Sequence, residues 1–498
     1  MAPALKKYNW ILALTTIAFV FSSASNAGIL ACITEFVGAV ALGSRVTSTI
    51  KSGFFGLSKF EPNPPTFMLV MGCAEVGSAL AGAGIAAQTP LKWAWASGSL
   101  SQIAASWAIA PLIAAGFSAI LFLSLRFLVL ERKEPFKWRM RLIPWYLGFT
   151  AGVLALFIID ELPNGESLEE MGAGKVTGII LGVAFGVVAL SYIFLVPYFH
   201  RRLVKNDARI RNPPIYFPGK GDQAVKDYYA KSLVESTTAD IEKAHIKDDQ
   251  DHPKKLGPEN NGDGISTAID ANDGDSNGTS ERTKGGLSIP KQNKLSAHVV
   301  PAKPEPEERW LTPKNLGAVH ARAIVYDNRV EHLWTYAQVA SAMMMSIAHG
   351  SNDVANAVGP WVATYNTYTS GIVTAKADTP IRILIVAGLL LGLGFWFYGY
   401  HVMRSLGNKI TQVSPTRGFA MELGAAITVL LASRLALPVS TTQCLTGATV
   451  GVALCNFDIR AVNWKQVAFI FSSWVITLPS AGLISGLLMV MALNTPHF

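Results

Sequence analysis

Nine long apolar runs restrict this chain to a membrane-spanning, all-α fold. Most of the runs reach the ~20 residues that a helix needs to cross the hydrocarbon core of a bilayer. Within that core the backbone must satisfy its own hydrogen bonds, which an α-helix does inside a single segment. Only 15% of all residues are charged, as is typical of polytopic membrane proteins. The runs cover residues 10–43, 66–87, 100–130, 143–159, 173–199, 334–365, 381–401, 418–431 and 467–493.

The charges between the runs predict an orientation. Basic residues cluster at 132–141 and 201–211, whereas residues 160–170 are acidic. The positive-inside rule places both basic clusters in the cytosol. If the first run is one span, the chain begins outside, and Arg45, Lys51 and Lys59 lie inside. Topology therefore explains the net charge of +8 without a nucleic-acid partner.

A long polar insertion divides the apolar runs into two groups. We predict an N-terminal transmembrane repeat over residues 1–199, which is degenerate, and a C-terminal transmembrane repeat over residues 331–498. Residues 200–330 between them form a cytosolic loop. Its middle, 248–296, is rich in Asp, Asn, Gly, Ser and Lys and has too few large apolar residues to fold alone, so the loop is predicted to be largely disordered.

Two matches between the groups indicate an internal repeat. The segment 43–50 (GSRVTSTI) parallels 399–406 (GYHVMRSL), and 75–80 (EVGSAL) parallels 422–427 (ELGAAI). The order is the same in both groups. Many secondary transporters are built from inverted-topology repeats, with broken helices and a site near the bilayer midplane. The pattern therefore predicts such a transporter.

The stretch His349–Pro360 carries an ionisable side chain into an apolar run. An Asp at membrane depth costs a few kcal/mol unless it has partners, which makes Asp353 a candidate functional residue. Gly350, Gly359 and Pro360 bracket it, so we expect the helix to break here and free backbone groups for a ligand.

Three oxygen-bearing side chains in this stretch predict a cation site. Residues three or four apart share a helix face, which groups Asn356 with Asn352 and Asp353. Oxygen ligands suit a hard cation, and a single carboxylate suits a monovalent ion or a proton. The alternative is a helix–helix contact in which Asn and small residues hold two spans together.

The segment 437–443 (LPVSTTQ) predicts an anion site. Proline suits the start of a helix, and Ser or Thr suits its cap. A helix that begins inside the membrane presents free N–H groups and a positive dipole end, to which Ser440, Thr441 and Thr442 add hydroxyl donors. An ordinary capped helix after a tight turn explains the spacing equally well.

Three acids in or beside apolar runs are further candidates for handling the coupling ion or proton: Glu35, Glu75 and Glu422. The four cysteines lack metal-ligand spacing and are interpreted as packing residues. No nucleophile–base pair or phosphate-cradling Gly loop is present, so we expect no enzyme activity and no cofactor apart from the coupling ion.

Together, 349–357 (HGSNDVANA) and 438–442 (PVSTT) resemble the two signatures of the inorganic phosphate transporter (PiT) family, which includes fungal sodium-phosphate symporters. The resemblance implies cation-coupled symport of inorganic phosphate across the plasma membrane. It implies about a dozen helical segments with re-entrant hairpins in an inverted repeat, and often a homodimer. By the family pattern Ser440, Thr441 and Thr442 bind phosphate, and Asn352, Asp353 and Asn356 bind the coupling sodium.

The chain departs from this family in its first half. The family carries each signature twice, whereas this chain carries each once. The windows where the first copies are expected read 22–28 (SSASNAG) and 86–93 (AAQTPLKW), without the Asp or the hydroxyl run. Both gaps look like deleted segments. A second hypothesis is therefore a non-transporting or impaired member: a regulatory or receptor-like paralogue, or an altered transcript product. On this basis we expect poor transport, and the sequence leaves sodium and proton coupling open.

Overall fold

The computed structural model describes residues 24–44, 47, 57–73, 77–89, 91, 93, 99–131, 135–161, 168–200, 203, 316–374, 379–399, 406–435, 437 and 439–495. The described residues all belong to one compact unit, drawn from 1–237 and 313–498. Within them the secondary structure is helical, without a β-strand, and the all-α prediction is confirmed. Most of the predicted cytosolic loop, including 248–296, lies outside the described residues, so the three-domain division stays a prediction.

The principal helices follow the apolar runs. In chain order they are α1 (Ala24–Leu42), α2 (Pro64–Gly72), α3 (Gly77–Ala86), α4 (Leu100–Leu125), α5 (Pro135–Glu161), α6 (Ala173–Leu190), α7 (Asn328–Ser370), α8 (Ile381–Gly394), α9 (Pro415–Arg434), α10 (Thr441–Leu454) and α11 (Trp464–Leu493). π-Helical turns extend three of them, at Arg126–Leu130, Ser191–Leu195 and Phe395–Gly399. Short helices occupy Leu57–Lys59, Leu168–Met171, Val196–Phe199, Leu316–His320 and Ile459–Ala461.

Four helices in the described part of the chain are long and apolar enough to cross a membrane, by length and composition. They cover Ser101–Leu130, Met140–Ile159, Ala173–Phe199 and Trp464–Leu493. Helix α7 has 43 residues and is therefore roughly 65 Å long at 1.5 Å per residue. Its polar centre lowers its hydropathy, although it is the longest helix described. The protein is therefore a membrane protein.

The ends of the helices meet at two opposite ends of the bundle. Tyr192, in the π-helical turn after α6, donates to the Arg141 carbonyl of α5 at 2.7 Å, and the Tyr198 hydroxyl lies 3.4 Å from that of Tyr336 on α7. We call this the basic end, because in sequence the basic clusters 132–141 and 201–211 directly follow Glu131 and His200.

Helix α1 ends at the opposite end, and this corrects one expectation. Leu42, at its last residue, packs in one cluster with Phe157 near the end of α5. Farther along, Phe60 packs with Val373, which follows the end of α7. Lys59 beside it therefore lies at the end of the bundle opposite the basic end, whereas both were expected to lie on one side. Arg45 and Lys51 lie outside the described residues.

Helix α7 runs through its glycines without a break, contrary to the expected interruption at 350–360. A Cβ on Gly350 would collide with the backbone carbonyl of Glu35, and a Cβ on Gly38 would collide with that of Ile347. These glycines therefore let α1 and α7 touch backbone to backbone, which is packing and not helix breaking. Pro360 lies inside the helix and leaves one carbonyl, that of Asn356, without a helical donor.

Helices α9 and α10 form the re-entrant hairpin. Three hydrogen bonds join α7 to α9, and the residue numbers of the bonded partners increase along both helices: Glu331 with Thr416, Ser341 with Glu422, and Asn352 with Ser433. Helix α9 therefore runs parallel to α7 from the basic end.

Helix α10 returns to the same end. Its Gly447 and Gly451 meet Pro111 and Ala115 of α4, so α10 runs parallel to α4, which ends at the basic end. With 14 residues, α10 is roughly 21 Å long and cannot cross a ~30 Å core. The start of α10 lies level with the middle of α7, where Thr441 meets Asp353.

The inverted repeat is visible in the pair α1 and α8, whose ends carry the matching Gly43 and Gly399 segments. Cys32 Sγ donates to the Gly392 carbonyl at 2.9 Å. Gly388 faces Phe36 and Val40. The contacting residue numbers increase along α1 while they decrease along α8. The two helices are therefore antiparallel, as inverted halves require.

Candidate functional site

The two sequence motifs meet where the α9–α10 turn rests on the centre of α7. Asn352 Nδ2 donates to Ser433 Oγ at 3.3 Å, at the last turn of α9. One residue along α7, the Asp353 carboxylate accepts a short hydrogen bond from the Thr441 hydroxyl, at the first residue of α10. The two bonds hold both sides of the turn, so the hydroxyl motif is fixed against the carboxylate motif.

Three polar side chains lie within hydrogen-bonding distance of the Asp353 carboxylate. In addition to Thr441, His349 Nε2 lies 2.8 Å from Asp353 Oδ2, one helical turn away. Asn356 Nδ2 donates to Asp353 Oδ1 at 3.5 Å. The Asp353 side chain keeps 22% of its surface exposed, so it remains accessible to an incoming ion.

His349 connects Asp353 to a second carboxylate, on α1. Its Nδ1 lies 2.7 Å from Glu35 Oε2, and Glu35 is only 2% exposed. Ser346 Oγ donates to Glu35 Oε1 at 3.1 Å, and Thr34 Oγ1 donates to Ser346 Oγ at 2.7 Å. An imidazole donates from both nitrogens only when it is protonated. With His349 protonated, the two carboxylates leave the group one negative charge in excess, which a monovalent cation would balance.

The first turn of α10 supplies anion-binding groups beside this acidic group. Ser440 is the N-cap, and its Oγ accepts from the Gln443 backbone N–H at 3.3 Å. The N–H groups of Thr441 and Thr442 have no helical acceptor at this position, and the positive end of the helix dipole points the same way. The Thr441 hydroxyl bonds the Asp353 carboxylate to this end of α10. An anion and a cation bound here would therefore be neighbours.

The structure separates some of the predicted residues. Asn352 is fully buried and turned toward α9, and its Oδ1 has no hydrogen-bond partner. Glu422 accepts from Ser341 Oγ at 2.7 Å, and Ser341 precedes Asp353 by about 18 Å along α7. Glu75 and Pro438 lie outside the described residues. Among the described residues no group of three or more His, Cys, Asp or Glu side chains suits a metal ion.

Two residues at the site were not assigned a role by sequence reasoning, His349 and Ser346. The sequence spacing could have identified them. His349 precedes Asp353 by four residues and Ser346 precedes His349 by three, which places all three on one helix face. The partner Glu35 lies 314 residues away in sequence. No local pattern joins it to His349.

Comparison with known proteins gives a consistent result. A sequence profile of the phosphate transporter family matches residues 15–81 and 76–485. The phosphate-repressible phosphate permease pho-4 of Neurospora crassa is 32% identical over 95% of this chain and 92% of its own length. The sodium-dependent phosphate transporter 1-B of Danio rerio is 26% identical over 94% of this chain and 89% of its own length.

A solved structure described as the sodium-dependent phosphate transporter shares the fold, with a TM-score of 0.59 and 20% identity over 97% of both chains. The alignment with the Neurospora protein spans 547 positions, more than the 498 residues of this chain. That relative therefore contains segments with no counterpart here.

Proposed function

Because this chain belongs to the phosphate transporter family, we propose that it carries inorganic phosphate across the membrane together with a cation. The contact between Asp353 and Thr441 carries the proposal. It joins the candidate cation ligand to the candidate anion ligand, so occupation of one site changes the other.

The proposed coupling is electrostatic. Without a cation, the Asp353 carboxylate lies beside the N-terminus of α10 and repels an approaching phosphate. It also engages the Thr441 hydroxyl. A cation at Asp353 neutralises the carboxylate and frees that hydroxyl to donate to phosphate. The free N–H groups of the first turn of α10, with Ser440 and Thr442, would complete the anion site.

The cation ligands would be oxygens. Asp353 and Asn356 share one face, and the unpaired Oδ1 of buried Asn352 is a further oxygen. Carboxylate and amide oxygens suit a hard monovalent ion. Sodium is proposed ahead of the proton because related proteins are named sodium-dependent phosphate transporters. A protonated His349 would offset one of the two carboxylates, Glu35 and Asp353, which leaves one negative charge for the cation to balance.

Alternating access would then expose the site to each side in turn, by rocking of helix groups about the midplane. Helices of both groups contribute: Glu35 comes from α1 and Asp353 from α7. A plasma-membrane location and a homodimer belong to the same proposal and rest on the resemblance to the PiT family.

The second hypothesis, a non-transporting family member, is not favoured. The relatives that align along nearly their whole length are named as a permease and a transporter. The missing first-half motifs bear on the rate and stoichiometry of transport, because one acidic motif and one hydroxyl run remain and lie together.

Uptake of radiolabelled phosphate into yeast that lacks its own phosphate transporters tests the proposal. The full chain should confer uptake that sodium stimulates, and Asp353→Ala should abolish it. Asp458→Ala is the matched control. Asp458 is an exposed acid in the loop after α10, and it pairs with Arg322. Absence of uptake above the vector level, with the chain present at the cell surface, would overturn the proposal.

A further inference from the structure

Gln443 carries a buried oxygen atom that the protein leaves unused. It is the third residue of α10, only 8% exposed, and its Oε1 has no hydrogen-bond partner. Buried polar atoms are almost always paired, so an unpaired one calls for a ligand or another specific reason. Its position, two residues after Thr441, places it in the first turn that faces the anion site.

Helix geometry favours an orientation of the Gln443 side chain toward the start of α10, because the side chains of a helix tilt toward its N-terminus. In a capping box the glutamine would reach back and accept from the backbone N–H of the N-cap residue. Ser440 does cap the Gln443 backbone N–H, but the reciprocal bond from Oε1 is not made.

Gln466 shows that this arrangement is not a general property of such positions. It is the third residue of α11 and is 6% exposed. The N-cap Asn463 accepts from its backbone N–H at 3.4 Å. In burial, position and capping Gln466 matches Gln443, yet no atom of its carboxamide is both buried and unpaired. The unpaired oxygen of Gln443 is therefore not a consequence of its burial, helix position and capping alone.

An unpaired acceptor at an anion site selects by protonation. The other groups there, N–H and hydroxyl donors, bind phosphate and sulfate alike. Near neutral pH phosphate retains at least one P–OH, whereas sulfate has no proton to donate. An amide oxygen can accept only, so it pairs with the hydroxyl of phosphate and stays unpaired against sulfate. Sites built to bond a hydroxyl reject analogues that lack it.

Building on the proposed function, we propose that Gln443 is a specificity-determining residue whose Oε1 accepts a hydrogen bond from a protonated oxygen of the bound phosphate. Phosphate and arsenate, both protonated, satisfy it. Sulfate leaves it buried and unpaired, and is excluded for that reason.

The test compares anions within each variant, so that expression level cancels. Gln443→Met removes the acceptor at nearly constant shape, and Gln466→Met is the matched control. Competition of phosphate uptake by sulfate and by arsenate is measured for the full chain. In wild type and in the control, arsenate should compete and sulfate should not. In Gln443→Met the ratio of the sulfate to the phosphate inhibition constant should fall roughly tenfold or more.

An unchanged ratio in Gln443→Met overturns the assignment. If that variant transports nothing, Gln443→Glu decides, because it keeps an acceptor of the same length and should still reject sulfate; equal competition by sulfate and phosphate there contradicts the proposal. Failure of the proposed function is a separate result. If wild type takes up no phosphate, thermal shifts of the purified chain with inorganic phosphate and with sulfate still test Gln443, and equal shifts refute its role.

Discussion

The α9–α10 hairpin and the two short helices α2 and α3 differ in the groups they present. The hairpin has helices of 20 and 14 residues and presents hydroxyls at its turn. Helices α2 and α3 have 9 and 10 residues and carry Thr66 and Ser78 as the only polar side chains within them. The difference indicates that ligand chemistry resides in the hairpin, whereas α2 and α3 serve packing.

The hairpin and the α2, α3 region are also held differently. Side chains of α7 bond the α9–α10 hairpin at four places: Glu331 accepts from Thr416, Ser341 donates to Glu422, Asn352 bonds Ser433, and Asp353 bonds Thr441. In the α2, α3 region, contact is made by the backbone of Gly82 against that of Gly482, and by Lys59 Nζ, which donates to the Gln88 carbonyl at 2.6 Å. Polar attachments can rearrange when a ligand arrives, whereas tight backbone packing is rigid.

The largest expected effect is on transport, from Thr441→Val. The change keeps the shape of the side chain and removes the hydroxyl that bonds Asp353. Phosphate uptake should fall by up to roughly a hundredfold, because the bound anion loses a charge-assisted hydrogen bond of ~1.5–3 kcal/mol. The comparison change in α2, Thr66→Val, should leave uptake within about twofold of wild type. Similar losses in both variants would remove the distinction between the hairpin and α2.

Glu35→Gln should have the next largest effect. It leaves His349 with one carboxylate partner instead of two and removes one negative charge from the site. Phosphate uptake at low sodium should fall roughly tenfold, since the site attracts a cation less strongly. Raising the sodium concentration should restore part of the uptake. Uptake by Glu35→Gln that is unchanged at every sodium concentration would separate Glu35 from the site.

Gly82→Ala should act on stability and not on selectivity. A Cβ at this position collides with the backbone of Gly482, whereas Gly72 has nothing within 4 Å of an added Cβ. Overpacking of this kind costs about 1–3 kcal/mol. Thermal unfolding of the purified protein should begin several degrees lower for Gly82→Ala than for the control Gly72→Ala. Equal unfolding temperatures would show that this contact does not hold α3 against α11.

Ser433→Ala should have the smallest effect. It removes the hydrogen bond that ties the last turn of α9 to Asn352 and leaves a buried amide unpaired, which costs about 1–3 kcal/mol. Uptake should fall only a few-fold, because Asp353 and Thr441 are untouched. The measurement is uptake normalised to surface protein, with Ser472→Ala on the exposed face of α11 as control. A loss as severe as that of Thr441→Val would make Asn352 and Ser433 the principal link between α7 and the hairpin.

Much of this architecture could be predicted from the sequence, because length and hydropathy decide where helices such as α6 and α11 lie. The meeting of Asp353 with the hydroxyl motif was implied only through resemblance to a family. The continuity of α7 could not be predicted, since Gly350 looks the same whether it breaks a helix or admits a neighbouring backbone. Nor could the contact of Glu35 with His349, which depends on how α1 crosses α7. The placement of Lys59 at the end opposite the basic end was not predicted either.

The affinity of the purified chain for phosphate, measured as a function of cation concentration, tests the coupling of Asp353 to Thr441 most directly. Two ligands that share a coupled site must alter each other's affinity by the same factor. Phosphate should bind at least about tenfold more tightly in saturating sodium, or on acidification if the proton is the coupling ion. Asp353→Ala should abolish that dependence. Phosphate binding that is equally tight at every sodium and proton concentration would contradict the account.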